Sequence, residues 1–402
     1  MGHFIFRQGR HILPVMSDSP VIITLAELVK INSVNPEWNG PGEKAVADWV
    51  RRFFESRNIE VHEHEVMPGR PNIIAILPGR DRSRRMLLEA HMDTVSAHEM
   101  DISPFDPEIR DGRLFGRGSV DVKSGLAAMM HAVASVHHSG TLPLCDVWLA
   151  AVVDEEHHYR GALKLIETLH EPFHRGVLTE AAVVAEPTGC RVVRANKGVL
   201  RFGITTHGKA AHSSKPHLGR NAISQMAKVI PVIEASARKI GQMDHPLVGP
   251  PTCSIGLIEG GTQINFVPEK CTITLDCRLI PGQCGDAVLK VYRDALSELR
   301  KTDPNIQVTI AAPALNDEAM ETPENSPIVK RACRILTESG YPGEAKPIGV
   351  PFGCDATKLS RDGIDSIIFG PGSIDQAHAA IEYVEIEQVL RAEAFYRRLM
   401  TG

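Results

Sequence analysis

Several short runs of this chain are almost entirely apolar and end at an acid or a histidine. The runs RMLLEA, VWLAAVV and AAVVA are followed by His91, Asp154 and Glu186. A strand that is apolar on both faces is typical of a parallel sheet covered by helices on both sides. Apolar residues recur at helical spacing over 20–31 and 43–57. The sequence therefore predicts an α/β fold with a mixed, mostly parallel sheet flanked by helices.

A different order of elements begins near residue 197. Strand and helix patterns follow one another there as β-α-β-β-α-β, the order of a ferredoxin-like domain. We therefore predict that 197–312 is inserted into a catalytic domain made of 16–196 and 313–402. Residues 1–15 are predicted to be an extension, because a second plausible start follows them.

Charge and composition exclude several classes of partner. Lys and Arg number 44 against 49 Asp and Glu, a net charge of −5, which disfavours nucleic acid and anionic membrane surfaces. No run approaches the roughly 18 apolar residues of a membrane-spanning helix. The eight cysteines are scattered without a Cys-x-x-Cys pair, and the first residues lack the apolar core of a signal peptide. These features predict a cytoplasmic protein with reduced thiols.

The triplet His91-Met92-Asp93 closes one predicted strand. Residues two apart on a strand share a face, so Asp93 can hold one ring nitrogen of His91 and leave the other for a metal ion. A polar strand end with satisfied hydrogen bonds is the alternative.

Three further motifs place acids at the ends of predicted elements. A glycine-rich turn, Gly116–Gly125, leads into a helix predicted over 121–138, where Asp121 is either a helix cap or a ligand. Asp154-Glu155-Glu156 follows a buried strand, where three acids need a cation or altered pKa values unless they are solvated loop residues. Glu186 follows another strand, and His378 precedes the last predicted helix.

Taken together, these motifs supply two imidazoles and three carboxylates: His91, Asp121, Glu156, Glu186 and His378. This donor set suits Zn²⁺, Co²⁺ or Mn²⁺, and it can hold two ions if one carboxylate bridges them.

The order and spacing of these motifs resemble the co-catalytic zinc amidohydrolases and exopeptidases, which include acetylornithine deacetylase, succinyl-diaminopimelate desuccinylase, glutamate carboxypeptidase and aminoacylase. The resemblance runs from about residue 20 to the end. It implies that Asp121 bridges two divalent ions, zinc first, with His91 and Glu186 on one ion and Glu156 and His378 on the other. It also implies a cis peptide bond after Asp121.

The same resemblance assigns further roles. Glu155 is the implied general base and Asp93 orients His91. The inserted domain is the implied lid and homodimerisation domain. Its His212, in GKAAHSSKPHLGRNAI, is implied to stabilise the oxyanion at the metal centre of the partner subunit. Asn265 and Arg278, with Gly353 of the catalytic part, are implied to grip a substrate carbonyl or carboxylate. A hydrogen-bonded turn histidine and a solvated strand face are the alternatives for the lid residues.

The resemblance implies hydrolysis of an amide bond in a small N-acyl amino acid that bears a carboxylate. A dipeptidase or carboxypeptidase with the same centre is one alternative. A non-catalytic metal-dependent binding protein is another, which Glu155 argues against because a structural site has no use for a base. The chain departs from the family pattern in His157-His158-Tyr159, in Ile381 before Glu382, and in Phe352-Gly353-Cys354. These departures leave the substrate open.

Overall fold

A computed structural model describes residues 17–171 and 176–402. These residues divide into two compact units. The first unit contains the described residues up to Arg194, together with Thr322–Ile348 and Cys354–Gly402, and the second contains Ala195–Glu321 and Gly349–Gly353. The predicted insertion at 197–312 falls within the second unit, and the predicted extension at 1–15 lies outside the described residues. The role of the insertion as a lid stays a prediction.

Nine α-helices lie in the described part of the chain. They are α1 Pro20–Lys30, α2 Lys44–Glu55, α3 Ser124–Ser139, α4 Arg160–Leu169, α5 Ala222–Ile240, α6 Gly285–Thr302, α7 Pro327–Glu338, α8 Ala356–Arg361 and α9 Ile386–Thr401.

The first eight strands along the chain include two short hairpin strands and six strands of the large sheet. They are β1 Glu60–Met67, β2 Arg70–Leu77, β3 Asp81–His91, β4 Glu108–Arg110, β5 Arg113–Phe115, β6 Cys145–Val152, β7 Leu178–Val184 and β8 Val193–Asn196. Later strands are β9 Gly198–His207, β10 Ala211–His212, β11 Thr252–Gly260, β12 Phe266–Val267, β13 Lys270–Leu279, β14 Val308–Ile310, β15 Leu315–Asp317, β16 Met320–Glu321, β17 Ile348–Val350, β18 Ser366–Ile368 and β19 Tyr383–Glu385.

The large sheet is mixed, as predicted, and the strands along its path up to β8 run in the order β1-β2-β6-β3-β7-β18-β8. Parallel pairs join the four central strands β6, β3, β7 and β18, whereas the pairs β1-β2, β2-β6 and β18-β8 are antiparallel. The strands β6, β3 and β7 are buried along most or all of their length, which is why their sequences are apolar on both faces. Because these neighbours are parallel, the residues that follow them meet at one edge of the sheet.

Helices cover this sheet, and the core of the unit is apolar. Helix α3 is buried along most of its length and packs on α1 and α9. The rings of Phe369 and Phe395 stack with centroids 3.8 Å apart, and the hydroxyl of Tyr396 donates to the carbonyl of Phe369. This packing fixes the α9 helix against the strand end at β18.

One sequence-based helix boundary near the site was wrong. The helix predicted over 121–138 begins at Ser124, and a turn, Ser119–Lys123, precedes it. Asp121 and Val122 have non-helical backbone angles in that turn, and the bond between them is cis. The short strand β19, which the sequence analysis did not predict, precedes the last helix at Ile386.

The second unit has the β-α-β-β-α-β order that the sequence predicted. Its sheet runs β11-β13-β9-β14, all antiparallel, with β15 also paired to β9. Strand β13 alternates buried and half-buried residues, so one face of the sheet is covered. Helices α5 and α6 cover it, with Met226 and Tyr292 in the core.

Candidate metal centre

Two groups of possible ligands lie close together in the first unit. One ligand atom from each of His91, Asp121 and Glu186 lies within 4.8 Å of the others, and the same holds for Asp121, Glu156 and His378. His91 ends β3, and Glu156 and Glu186 follow its two sheet neighbours, β6 and β7. The five residues that the sequence predicted as ligands are therefore brought together, and Asp121 belongs to both groups.

Asp121 lies between the two imidazoles. Its Oδ1 is 3.1 Å from Nε2 of His91, and its Oδ2 is 3.4 Å from Nε2 of His378. Nε2 of His378 is also 3.2 Å from Oε2 of Glu156. The two oxygens of one carboxylate thus face different histidines, which is the arrangement that a bridging ligand needs.

The backbone of Asp121 is held by a buried glutamate. Oε1 of Glu382 accepts hydrogen bonds from the amides of Val120 (3.0 Å) and Asp121 (3.3 Å). Its Oε2 accepts from Nη1 of Arg117 at 2.6 Å, and both side chains are buried. Burial raises the pKa of Glu382 to about 6, against the opposing effect of Arg117. Glu382 therefore links the turn at Asp121 to the chain just after His378.

The carboxylate of Asp93 accepts three hydrogen bonds that position the acidic segment. Its Oδ1 accepts from the amide of Glu155 at 3.1 Å, and its Oδ2 accepts from the amide of Glu156 at 3.2 Å and from Nδ2 of Asn35 at 2.8 Å. Nδ1 of His91 lies nearer the carbonyl of Asp93, at 3.0 Å, than its carboxylate oxygen, at 3.5 Å. The predicted contact with His91 is thus made mainly by the main chain of Asp93.

The shifted pKa values of the acids and histidines in this centre indicate that added positive charge stabilises it. Hydrogen bonds to Asp121 and Glu156 raise the pKa of His378 to about 10. Burial raises the pKa of Glu186 well above its usual range, and the charge of Asp121 adds to this. Burial likewise raises the pKa of Glu155, which His91 opposes and other acids reinforce. Such a concentration of buried carboxylates is stabilised by cations.

The donor set also fits divalent ions. Oε1 of Glu156 is buried and has no hydrogen-bond partner among the described residues, so this oxygen is available to a metal ion. Two imidazoles and three carboxylates match the ligands of Zn²⁺ and of the harder ions Co²⁺ and Mn²⁺.

Sequence reasoning missed three buried polar residues around the centre. Asn35 lies 58 residues before Asp93, and no local signal joins them. Glu89 and Asp355 are both buried, and burial raises the pKa of each, that of Asp355 to about 7. Glu89 could have been noticed, because it is an acid inside the otherwise apolar end of β3 and shares a strand face with His91.

Four predicted residues lie in the second unit and belong to neither ligand group. His212 is exposed at the end of β10, and its Nδ1 is 2.7 Å from Oγ of Ser214. Asn265 is exposed in a turn before β12. Nε of Arg278 donates to Oδ1 of Asp276 at 2.8 Å. Gly353 lies in the loop before α8.

The two histidines after Glu156 lie at the surface of the first unit. The ring centroids of His157 and His158 are 3.7 Å apart. Nε2 of His157 is 3.7 Å from Oε2 of Glu37. Both are accounted for by these contacts and belong to neither ligand group.

The sequence profile of Peptidase family M20/M25/M40 matches residues 87–402. The chain belongs to this family. The M20 match includes all five candidate ligands and the second unit, and it makes the chain a hydrolase of this family. Within the described residues, no helix is both long and apolar enough to cross a bilayer.

Relatives of this M20 chain cover nearly its whole length. Acetylornithine deacetylase of Myxococcus xanthus is 30% identical over 384 residues, which are 93% of this chain and 95% of that protein. A probable succinyl-diaminopimelate desuccinylase of Staphylococcus epidermidis is 26% identical over 410 residues, which cover 94% of this chain and 96% of that protein. The crystal structure of a tripeptidase from Staphylococcus aureus superposes with a TM-score of 0.76 and 22% identity over 95% and 97% of the two chains, which shows a shared fold.

Proposed function

We propose that this M20 hydrolase cleaves the amide bond of an N-acyl amino acid and depends on two divalent metal ions. The observation that carries the proposal is the position of Asp121, whose two oxygens face His91 and His378 separately. The whole-length similarity to a deacetylase and a probable desuccinylase supports an acyl amino acid as substrate.

The proposed ligands divide into two sets that share one member. His91 and Glu186 hold one ion, Glu156 and His378 hold the other, and Asp121 bridges them. Zinc is the metal we expect first, with cobalt or manganese as substitutes. When bound, such ions polarise a carbonyl group and lower the pKa of water to about 7.

Glu155 is the proposed general base. Its amide is held by Asp93, and its buried carboxyl group has a raised pKa, so it accepts a proton near neutral pH more readily than an exposed glutamate. We propose that it takes a proton from the attacking water and transfers it to the nitrogen of the leaving amine. The bond that breaks joins the acyl carbon to that nitrogen.

Residues outside the ligand groups are proposed to bind the substrate. His212 is the proposed donor to the developing oxyanion, acting across a homodimer formed by the second unit. Arg278, Asn265 and Gly353 are proposed to bind the substrate carbonyl or carboxylate, since a guanidinium group suits bidentate binding of a carboxylate. A small carboxylate-bearing substrate and a cytoplasmic location complete the proposal.

One alternative keeps the centre and changes the substrate to a dipeptide or to the C-terminal residue of a peptide. We test this alternative because the chain shares its fold with a tripeptidase. An assay of acetylornithine, succinyl-diaminopimelate, other N-acyl amino acids and dipeptides in parallel separates the two. Faster hydrolysis of dipeptides than of every acyl amino acid contradicts the deacylase proposal.

Glu155→Gln tests the catalytic role. The variant keeps the size of the side chain and removes the base, so we expect turnover to fall by roughly 10²–10⁴-fold while metal content stays that of the wild type. Glu167→Gln is the matched control, because Glu167 lies on the surface of α4 and pairs with Lys164. Turnover of Glu155→Gln within a few-fold of the control contradicts the assignment. A protein that binds the substrates and hydrolyses none of them is a binding protein instead.

A further inference from the structure

Two cysteines face each other across neighbouring strands of the second unit. Cys253 on β11 lies directly opposite Cys277 on β13 in the antiparallel register. Their Sγ atoms are 2.8 Å apart. Cys277 is buried, with its Sγ also 3.9 Å from the hydroxyl of Tyr292, whereas Cys253 is partly exposed. No other part of the account uses this pair.

The backbone at this pair fits a covalent bond. Residues directly opposite each other in antiparallel strands have Cα atoms about 4.5 or 5.5 Å apart, and both values fall in the range of disulfides, about 4.4–6.8 Å. The sulfur atoms already point at each other, so bond formation needs side-chain rotation and no rearrangement of the strands. We propose that Cys253 and Cys277 form a reversible dithiol–disulfide couple, closed by a low-molecular-weight disulfide such as oxidised glutathione.

The two thiols have different roles in this couple. The hydrogen bond from Cys277 lowers the pKa of Cys253, and the same bond together with burial raises the pKa of Cys277. The thiolate is the attacking form of cysteine. Cys253 is therefore the thiol that meets the oxidant, since it is both the more acidic and the more exposed. Cys277 is the resolving thiol.

The exchange balances in two steps. The Cys253 thiolate attacks one sulfur of oxidised glutathione, forms a mixed disulfide, and releases one glutathione thiolate. Cys277 then gives up its proton and attacks the Cys253 sulfur, which releases the second glutathione. Two protein thiols are oxidised, one glutathione disulfide is reduced to two thiols, and the two protons pass to those products. Excess reduced glutathione reverses both steps.

The bond would secure an edge of the sheet. Among the described strands, β11 pairs only with β13, and its residues Leu257 and Ile258 are exposed. If β11 detached, the backbone edge of β13 would be open to pairing with another chain. A disulfide between Cys253 and Cys277 keeps β11 attached to its neighbour under oxidising conditions.

Peptide mapping after equilibration in glutathione buffers tests the proposal on the full chain. All variants carry Cys284→Ser, because Cys284 is exposed and reacts by itself. Cleavage after Lys239, Lys270 and Arg278 places Cys253 and Cys277 on separate peptides. Cys271 shares a peptide with Cys277, so a form with Cys271→Ser is mapped in parallel. We expect a cross-linked peptide pair, and an intact mass lower by two hydrogen atoms, in both forms.

Single variants distinguish the roles of the two thiols. Cys277→Ser should accumulate one glutathione on Cys253, because the resolving thiol is absent. Cys253→Ser should leave Cys277 reduced, because the attacking thiol is absent and Cys277 is buried. The proposal is wrong if no cross-link forms in oxidised glutathione, or if the cross-link is lost when only Cys271 is replaced. Equal glutathione adducts in the two single variants also overturn it, since the thiols would then be equivalent.

Discussion

Replacing Glu382 by alanine should destabilise the first unit strongly. The side chain is fully buried and accepts from Arg117 and from the amides of Val120 and Asp121. Removing one member of a buried ion pair costs about 3–5 kcal/mol, because the remaining charge stays buried without its partner. Each amide left without an acceptor adds about 1 kcal/mol or more. We therefore expect Glu382→Ala to lower the free energy of unfolding by about 5–7 kcal/mol.

Two further variants separate charge from shape. Glu382→Gln keeps an oxygen for the two amides but places an NH2 group opposite Arg117, which loses both its counter-charge and its acceptor, so we expect a loss of about 3–5 kcal/mol. Glu385→Ala is the control. Its partner Arg113 lies 2.8 Å away, but both side chains are more than a third exposed, so this pair contributes about 0.2–1 kcal/mol.

Urea unfolding followed by tryptophan fluorescence is the assay. All three tryptophans, Trp38, Trp49 and Trp148, lie in the first unit, so the signal reports on the unit that contains Glu382. We expect the decrease in urea midpoint to be smallest for Glu385→Ala, larger for Glu382→Gln and largest for Glu382→Ala. A loss for Glu382→Ala no larger than that for Glu385→Ala would show that the buried pair does not hold the turn at Asp121.

Two other residues give predictions of a different kind. Burial lowers the pKa of His131 to about 4, whereas its pKa in the unfolded chain is about 6.5. Between these pH values the unfolded state binds more protons than the folded state, so stability falls as the pH drops from about 6.5 towards about 4. Because His131 is only half-buried, we expect this loss of stability to be about 1–2 kcal/mol and to be absent in His131→Gln. If the urea midpoint shifts equally between pH 7 and pH 5 in both proteins, the prediction is wrong. Asp93→Ala removes the acceptor for the amides of Glu155 and Glu156, and we expect turnover to fall about 10–100-fold at saturating substrate. An unchanged kcat would mean that Asp93 does not position the base.

The strand ends were predictable from sequence because burial leaves a direct trace in composition. A strand apolar on both faces has to lie inside a sheet, and parallel neighbours bring the residues after them to one edge. His91, Glu156 and Glu186 could therefore be placed together before any coordinates were available. The domain order could be predicted for the same reason, since the pattern changes from helix-covered strands to an antiparallel β-α-β-β-α-β unit.

What could not be predicted depends on backbone geometry and distant contacts. The turn at Asp121 was assigned to a helix because a glycine-rich segment followed by an acid also fits a helix start, and its cis bond was expected from the resemblance alone. Glu382 contacts residues more than 260 positions away, and nothing near it in sequence indicates that partner. Likewise, the pairing of Cys253 with Cys277 depends on the register of β11 against β13, which composition does not fix.

The metal content of the protein tests the central claim most directly. Each chain, stripped with a chelator and then equilibrated with zinc, should bind two ions, as measured by elemental analysis after removal of free metal. His91→Ala and His378→Ala should each reduce this to one, and Asp121→Ala should weaken both sites because its carboxylate is shared. Two tightly held ions in Asp121→Ala, or two in His91→Ala and His378→Ala alike, would contradict a bridged centre built from these residues.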